Sequence, residues 1–231
     1  MKPVPWIAAL LLASSSLVVG CASSTTPPVA PAAEATSYDD PSKLGYASDV
    51  GGLPEEAMEG AFRSLGKDVE RCIGRGYERL DSLGGHVKIN LKITTKGEPK
   101  DVFVSESQLG DRDTEQCIVE AARGRVWPRA VGGDGVASTQ YDATPAKERS
   151  SFDVKKAQPA IEQVRAMTKR CRKDSTAEFT VTAYLKADGR VQAAGLAMTS
   201  PDDDAAECIV AQVKKARFGW PGKDAKLSFS L

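Results

Sequence analysis

Five cysteines are the residues of this chain whose type and spacing allow specific chemistry. A cysteine can be lipidated, can form a disulfide or can bind a metal ion, and its surroundings favour one of these outcomes. Zinc sites use close pairs such as Cys-x-x-Cys, whereas here every cysteine is isolated and the chain has one histidine, His86. We therefore expect no metal ion and no cofactor, and we expect the cysteines to serve in lipidation and in disulfides.

Cys21 is predicted to carry a lipid. Lys2 supplies a positive charge, Ile7 to Leu12 form an apolar core, and Val18-Val19-Gly20 precede the cysteine as a cleavage site. This order resembles the signal of bacterial lipoproteins, which is cut before a cysteine that carries diacylglycerol and, on its new amino terminus, an acyl chain such as palmitate. The resemblance implies a signal peptide over residues 1–20 and lipidation of Cys21.

A membrane-spanning anchor is the alternative for the same segment. The uncharged run from Pro3 to Gly20 is interrupted by Ser14-Ser15-Ser16 and is short for a span, which needs about 20 apolar residues. Ala22 follows Cys21, in place of the aspartate that in the common sorting pattern retains lipoproteins in the inner membrane. We therefore expect the lipid to attach the protein to the outer membrane, on the periplasmic side.

Residues 21–53 are predicted to be a disordered tether. Serine, threonine, proline and alanine dominate this segment without an apolar period, so it cannot bury enough surface to order itself. As a flexible coil it would span on the order of 30 Å. The folded part is therefore expected to stand away from the membrane.

The other four cysteines lie in a unit that the chain contains twice. Each copy has a cysteine, four alternating apolar residues, a turn glycine, the tripeptide Cys-Ile-Val and a Trp-Pro pair. In the first copy these are Cys72, Val87, Ile89, Leu91, Ile93, Gly97, Cys117 to Val119 and Trp127-Pro128. In the second copy they are Cys171, Phe179, Val181, Ala183, Leu185, Gly189, Cys208 to Val210 and Trp220-Pro221. Such self-similarity predicts two domains.

An exported chain with an even number of remaining thiols is a candidate for disulfides, and four thiols allow three connectivities. If each copy folds as a unit, the bonds are Cys72 to Cys117 and Cys171 to Cys208. Each would close a loop of roughly 40 residues and contribute at most about 4 kcal/mol. This contribution matters because a domain of this size has a marginal core.

The apolar pattern of each copy predicts a helix, two strands, a second helix and a third strand. We place the first copy at residues 54–142, a linker at 143–156 and the second copy at 157–231. The fold class is predicted to be α+β, with two tandem modules that each carry two helices on one face of a small antiparallel sheet.

Local signals predict where some of these elements begin. Asp113 is expected to cap the second helix of the first copy, with Gln116 reaching back to it. Pro159 is expected to start the first helix of the second copy. The strand from Val191 to Met198 is rich in alanine and glycine, so we expect it to be weak and to lie at a sheet edge.

The first copy resembles the TonB C-terminal fold, in the cysteine-bearing version of myxobacterial gliding-motility and TonB-family proteins. The residues that carry the resemblance are Cys72, Gly85, Gly97, Cys117-Ile118 and Trp127-Pro128. The second copy matches more loosely. The resemblance implies a free sheet edge that pairs with a peptide of an outer-membrane partner. The chain departs from that family in two ways, since it has a lipid anchor in place of an inner-membrane helix and contains the unit twice.

Composition and motifs favour a binding protein over an enzyme. The 31 basic and 31 acidic residues leave no basic excess for nucleic acid. The chain has no Gly-x-Ser-x-Gly elbow, phosphate loop or dinucleotide fingerprint, and His86 lies at a strand start. We predict a non-catalytic, protein-binding or scaffold lipoprotein of the cell envelope, working by strand addition at a sheet edge or through a groove between the copies. The alternative is an accessory component of a TonB-like energy-transduction or gliding-motility machinery.

Overall fold

The computed structural model describes residues 51–231. The predicted signal peptide, the lipidation site Cys21 and the tether up to residue 50 lie outside the described residues. Within the described range, no helix is both long enough and apolar enough to cross a membrane.

The described residues form an α+β fold with four helices and two sheets. The helices are α1 (Glu55–Arg79), α2 (Arg112–Arg123), α3 (Val154–Met167) and α4 (Asp203–Val213). The strands are β1 (Gly85–Ile93), β2 (Pro99–Ser107), β3 (Gly135–Ala143), β4 (Ser150–Ser151), β5 (Phe179–Leu185), β6 (Val191–Met198) and β7 (Ala225–Ser230). The antiparallel first sheet has the order β2-β1-β3, and the second has the order β4-β7-β5-β6, in which β4 runs parallel to β7. We call residues 51–143 the first half and residues 150–231 the second half.

The central strand of the first sheet follows the alternation in the sequence. The buried residues of β1 are Val87, Ile89, Leu91 and Ile93. In β5, the central strand of the second half, Thr182 and Tyr184 are buried in addition to the alternating apolar residues. Tyr184 belongs to the apolar core of the first half. Both faces of β5 are therefore covered, one by the helices of its own half and one by the first half.

α2 begins at Arg112, close to the predicted start, but its N-cap residue is Asp111 and not Asp113, which lies in the first turn. The Asp111 carboxylate accepts a hydrogen bond from Thr114 Oγ1 at 2.6 Å and another from the Arg79 guanidinium at 2.5 Å. These bonds fix the chain just before the first turn. The Asp111 side chain makes no hydrogen bond to a backbone N–H of α2, and the helix begins with the Thr114 and Glu115 N–H groups donating to the Asp111 carbonyl, both at 3.1 Å.

α3 begins at Val154, and Pro159 lies inside it rather than at its start. The Asp153 carboxylate accepts a hydrogen bond from the Lys155 N–H at 2.8 Å and so caps the helix. The segment 143–156, predicted to be a linker, thus contains β4 and the start of α3.

The buried aromatic residue that follows α2 has its structural counterpart at Phe218 and not at Trp220. Trp127 N donates to the Gly97 carbonyl at 2.9 Å, and Phe218 N donates to the Gly189 carbonyl at 2.9 Å. Trp127 and Phe218 are both buried, whereas Trp220 is 82% exposed. Aligning the copies on their Trp-Pro pairs was therefore wrong at this point, because the distance from the preceding helix decides which ring reaches the core.

Two disulfides lie within the described residues. Cys72 and Cys117 join α1 to α2, with their Cα atoms 5.8 Å apart. Cys171 and Cys208 join the segment after α3 to α4, with their Cα atoms 5.6 Å apart. These are the pairs that the repeat predicts, and neither disulfide links the two halves.

We expect Phe218→Ala to lower the free energy of unfolding by about 3–5 kcal/mol, because it leaves a cavity in the core of the second half. Trp220→Ala is the matched control and should change that free energy by less than about 0.5 kcal/mol, since the side chain is exposed. Urea unfolding followed by circular dichroism measures both values. Equal losses in the two variants would contradict the assignment of Phe218 as the counterpart of Trp127.

Candidate functional site

The two halves meet where the N-terminal end of α2 packs on the second sheet. Two glycines allow this close approach. A Cβ on Gly110 would lie 2.9 Å from Thr182 Cγ2, and a Cβ on Gly195 would lie 2.2 Å from Glu115 Oε1. Any larger residue at either position would push the halves apart. The contact buries Ala193 and Ala197 of β6, while Ala194, Leu196 and Met198 lie in the core of the second half, so β6 is buried from Ala193 onward although it is the last strand of its sheet.

Glu115 is the polar centre of this contact. Its buried carboxylate accepts a hydrogen bond from Leu196 N of β6 at 2.8 Å and another from Ser107 Oγ at 2.6 Å. Burial raises the pKa of Glu115 to about 7, against the opposing effects of these two hydrogen bonds and of the Arg112 charge. A side chain of the first half thus satisfies an N–H at the edge of β6.

Ion pairs between α2 and α4 surround the contact. Arg112, whose side chain is buried, donates from Nε to Glu207 Oε1 at 2.8 Å. Arg123 donates to Asp203 Oδ2 at 2.5 Å. The acidic first turn of α4 therefore binds the first half, in addition to favouring the positive end of its own helix.

Side chains also occupy the outer edge of β2. The Arg123 guanidinium donates to the Val102 carbonyl at 3.0 Å, and Thr182 Oγ1 of β5 donates to the Ser107 carbonyl at 3.1 Å. These two bonds use acceptors that an added strand would need. The β2 edge is therefore a poor place for a partner peptide.

The outer edge of β7 is partly occupied as well. β4 pairs with its first two residues, and Phe152 N donates to the Lys226 carbonyl at 2.8 Å. Further along, the Arg165 guanidinium donates to the Ser230 carbonyl at 3.0 Å. An incoming strand would have to displace these groups.

β3 is the edge that remains open among residues 51–231, beyond the point where Gly52 pairs with Val131 and Gly51 N donates to the Asp134 carbonyl at 2.8 Å. Its nine residues, Gly135–Ala143, pair with β1 in one unbroken register and, within the described chain, with no other strand. The strand contains no proline, lysine or arginine. Val136 within it is 58% exposed, and Val131 just before it is 74% exposed. We call residues 135–143 the β3 edge.

The hydrogen-bond pattern of β1 shows which backbone groups of β3 face outward. Gln108 N donates to the His86 carbonyl at 2.8 Å, so His86 turns its backbone groups toward β2. Its partner in β3, Asp142, therefore lies in a pair without hydrogen bonds to β1. Since these pairs alternate along an unbroken register, the residues whose N–H and C=O face away from the sheet are Val136, Ser138, Gln140 and Asp142.

The residues that the sequence singled out lie elsewhere in the fold. The Cys72–Cys117 disulfide borders a cavity of about 650 Å³ between α1 and α2, where Arg75 Nη2 lies 2.6 Å from Cys117 Sγ. His86 lies beside a smaller cavity of about 280 Å³ between the halves, with its Nε2 4.0 Å from Glu106 Oε2. Neither the disulfides nor His86 forms part of the β3 edge.

Sequence reasoning missed Glu115. The signal was present, because Glu115 shares the buried helical face of Ile118, Val119 and Ala122 at steps of three, four and seven residues. A charged residue on that face either interrupts the apolar surface and is exposed to water, or is buried against another element of the fold. Only the second sheet packed against it decides between them.

No protein-family model, no curated protein and no solved structure matches the chain. Within residues 51–231, no group of three or more His, Cys, Asp or Glu side chains is arranged to hold a metal ion.

We expect Glu115→Gln to change how stability depends on pH. The pKa of Glu115 in the folded protein, about 7, lies above the ordinary value of 4.5, so between these values the folded state keeps a proton that the unfolded state releases. The free energy of unfolding should therefore fall as pH rises through this window. The loss due to this group above pH 7 is on the order of 3 kcal/mol.

The amide variant cannot lose a proton, but it can accept from Leu196 N and donate to Ser107 Oγ. The native protein should therefore lose stability relative to the variant by about 2.5 kcal/mol between about pH 5 and about pH 8, as measured by urea unfolding at both values. Other titrating groups cancel in this difference. Parallel pH dependences in the two proteins would show that Glu115 titrates normally.

Proposed function

We propose that the chain is a non-catalytic lipoprotein of the outer membrane that faces the periplasm and binds an extended segment of another envelope protein by strand addition to the β3 edge. The predicted lipid on Cys21, the predicted tether and the resemblance to the TonB C-terminal fold support the location and the mode of binding. In this proposal the copies at 54–142 and 157–231 are two tandem modules of that fold.

The openness of the β3 edge is the observation that carries the proposal. Edge strands are usually protected by shortness, lysine, proline or bulges, because an unpaired row of N–H and C=O groups attracts other strands. β3 is nine residues long, has no register shift and has none of these protective residues. At about 3.3 Å per residue, it offers a template about 30 Å long.

Backbone pairing alone gives modest affinity. Each hydrogen bond contributes about 1 kcal/mol net, because the unbound groups are hydrogen-bonded to water. The exposed side chains of Val131 and Val136 add an apolar contact at one end of the template. Selectivity would therefore come from alternate side chains of the partner, with an apolar residue facing these two valines.

The two halves have different roles in this proposal. In the second half, β6 is covered by the first half, and β7 is partly occupied by β4 and by side chains, so neither edge offers a binding strand a long free row of backbone groups. The ion pairs from α2 to α4 hold the halves together. The first half thus binds the partner, and the second half braces the sheet that presents the β3 edge.

Two substitutions at one position separate backbone pairing from side-chain contact. Gln140→Pro removes an outward N–H without removing a bond to β1, because Gln140 lies in a pair that is not hydrogen-bonded. Gln140→Ala removes the side chain and keeps the N–H. We expect Gln140→Pro to weaken partner binding at least about tenfold, since it also prevents continuous pairing, and Gln140→Ala to leave binding nearly unchanged.

Photo-crosslinking in cells that make the lipidated chain measures this difference. A photoreactive amino acid in place of the exposed Val136 captures the bound segment, and mass spectrometry identifies it. Circular dichroism of each purified variant checks that the fold is retained. Equal crosslinking in the two Gln140 variants, or the absence of a crosslinked protein in the parent, would overturn strand addition at this edge.

The alternative function, an accessory role in TonB-like energy transduction or gliding motility, draws on the same open edge and on the family resemblance. It predicts that cells carrying Gln140→Pro lose energy-dependent uptake or motility, while cells carrying Gln140→Ala keep both. Normal uptake and motility in the Gln140→Pro cells would contradict this role and would leave the scaffold function in place.

A further inference from the structure

Lys226 of β7 is a partly buried cation at the junction of the two halves. Its Nζ donates to the Gly84 carbonyl at 2.8 Å and lies 5.2 Å from the centre of the Tyr184 ring. Among residues 51–231 it takes part in no ion pair, so no carboxylate oxygen lies within 4.0 Å of it. An ammonium group has three N–H donors, and one of them is used here.

The charged groups around Lys226 do not neutralise it. Asp224 binds Arg149 at 3.0 Å and lies 3.9 Å from Lys186, so two other cations share its charge. Glu148 is exposed and borders the same region without forming an ion pair with Lys226. Burial lowers the pKa of Lys226 to about 8, which fits an ammonium that has lost water without gaining a counterion.

Lys226 lines a cavity of about 320 Å³. Gln108, Ser151 and Ser228 add an amide and two hydroxyl groups to its lining. Phe152 and Val154 form an apolar wall. Small-molecule sites commonly have this composition, with an apolar surface and a few converging polar groups.

We propose that this cavity binds a carboxylate carried on a small aliphatic group, with the carboxylate on Lys226 and the aliphatic part against Phe152 and Val154. The free N–H groups of Lys226 supply charge-assisted hydrogen bonds. Ser151 and the Gln108 amide can donate to the remaining lone pairs, whereas the Ser228 hydroxyl donates to Thr182 Oγ1 at 2.8 Å.

One negative charge suits the cavity better than two. Arg149 is the other cation in its lining, but its guanidinium already binds Asp224 at 3.0 Å, Ser82 Oγ at 2.7 Å and Gln192 Oε1 at 3.0 Å. Lys226 alone is left to balance the charge of a ligand. A phosphate dianion would bring an uncompensated charge into a partly buried site, which is costly.

A carboxylate of this kind occurs in a free small acid and at the C-terminus of a peptide. Nuclear magnetic resonance titration of Lys226 in the whole chain, kept unlipidated by Cys21→Ser, distinguishes the two. The probes are acetate, acetyl-Ala-Ala with a free carboxylate, the same dipeptide as its C-terminal amide, and inorganic phosphate. The pKa of Lys226 is measured with and without each probe.

We expect at least one of the two carboxylate probes to raise the pKa of Lys226 by about one unit or more, because a bound anion favours the charged form. Equal effects of acetate and of the peptide acid identify a small acid as the ligand. A larger effect of the peptide acid identifies a peptide C-terminus. The peptide amide should have no effect, and phosphate should have less effect than the carboxylates.

Lys226→Met should weaken binding of the effective carboxylate at least about tenfold, while Lys186→Met, a change at an exposed lysine nearby, should leave binding within about twofold. The Gln140→Pro change at the β3 edge should also leave it intact, so this site and strand addition can fail independently. An unchanged pKa of Lys226 with both carboxylates, an equal effect of the amide, or a larger effect of phosphate would overturn the proposal. If Lys226→Met does not fold, the change in the pKa of Lys226 in the unmutated chain still tests the proposal.

Discussion

The end of α2 lies so close to the second sheet that a Cβ on Gly195 would be 2.2 Å from the Glu115 carboxylate. This packing determines much of the rest of the structure. It covers one face of β6, buries the helix-free side of β5 and holds the two halves together by non-covalent contacts, in addition to the chain segment that connects them. Because Glu115 accepts the N–H of Leu196 and the hydroxyl of Ser107, the contact is polar at its centre. Such a contact needs a specific geometry, since a buried carboxylate without its donors would be strongly destabilising.

The same packing makes the two halves unequal, although they share an order of elements. Once the first half covers the second sheet, the edge of β6 is no longer available. Two backbone carbonyl groups of β2 then accept hydrogen bonds from Arg123 and Thr182. β3 is left as the open edge of the described chain. The junction also brings Lys226 against the carbonyl of Gly84 and beside a cavity that neither half contains alone. The proposed strand-binding edge and the proposed carboxylate site are therefore both consequences of how the halves pack.

Several features were accessible from the sequence because they depend on local periodicity. The α+β class, the order of the elements other than β4 and the alternation of β1 follow from apolar residues at steps of two or of three to four. The predicted antiparallel second sheet was wrong in one respect, because β4 from the predicted linker pairs parallel to β7. Pairing cysteines within each copy gave the disulfides Cys72–Cys117 and Cys171–Cys208. The N-cap residues are Asp111 and Asp153, and not the more prominent Asp113 and Pro159: the backbone carbonyl of Asp111 accepts the first bonds of α2, and the carboxylate of Asp153 caps α3. Matching Trp220 to Trp127 was wrong because the number of residues after the preceding helix, and not the residue type, decides which aromatic ring reaches the core.

The sequence by itself determined the helices and strands other than β4, their order and the residues that pair as disulfides, since each of these depends on neighbours within one copy. It also carries the prediction of a lipid on Cys21, which lies outside the described residues. Only the tertiary structure decided that Glu115 is buried, that β6 is covered and that β3 is open. Those outcomes depend on contacts between residues about 80 positions apart, such as Glu115 with Leu196. The apolar periodicity of a helix does not indicate which other surface will pack against its side chains.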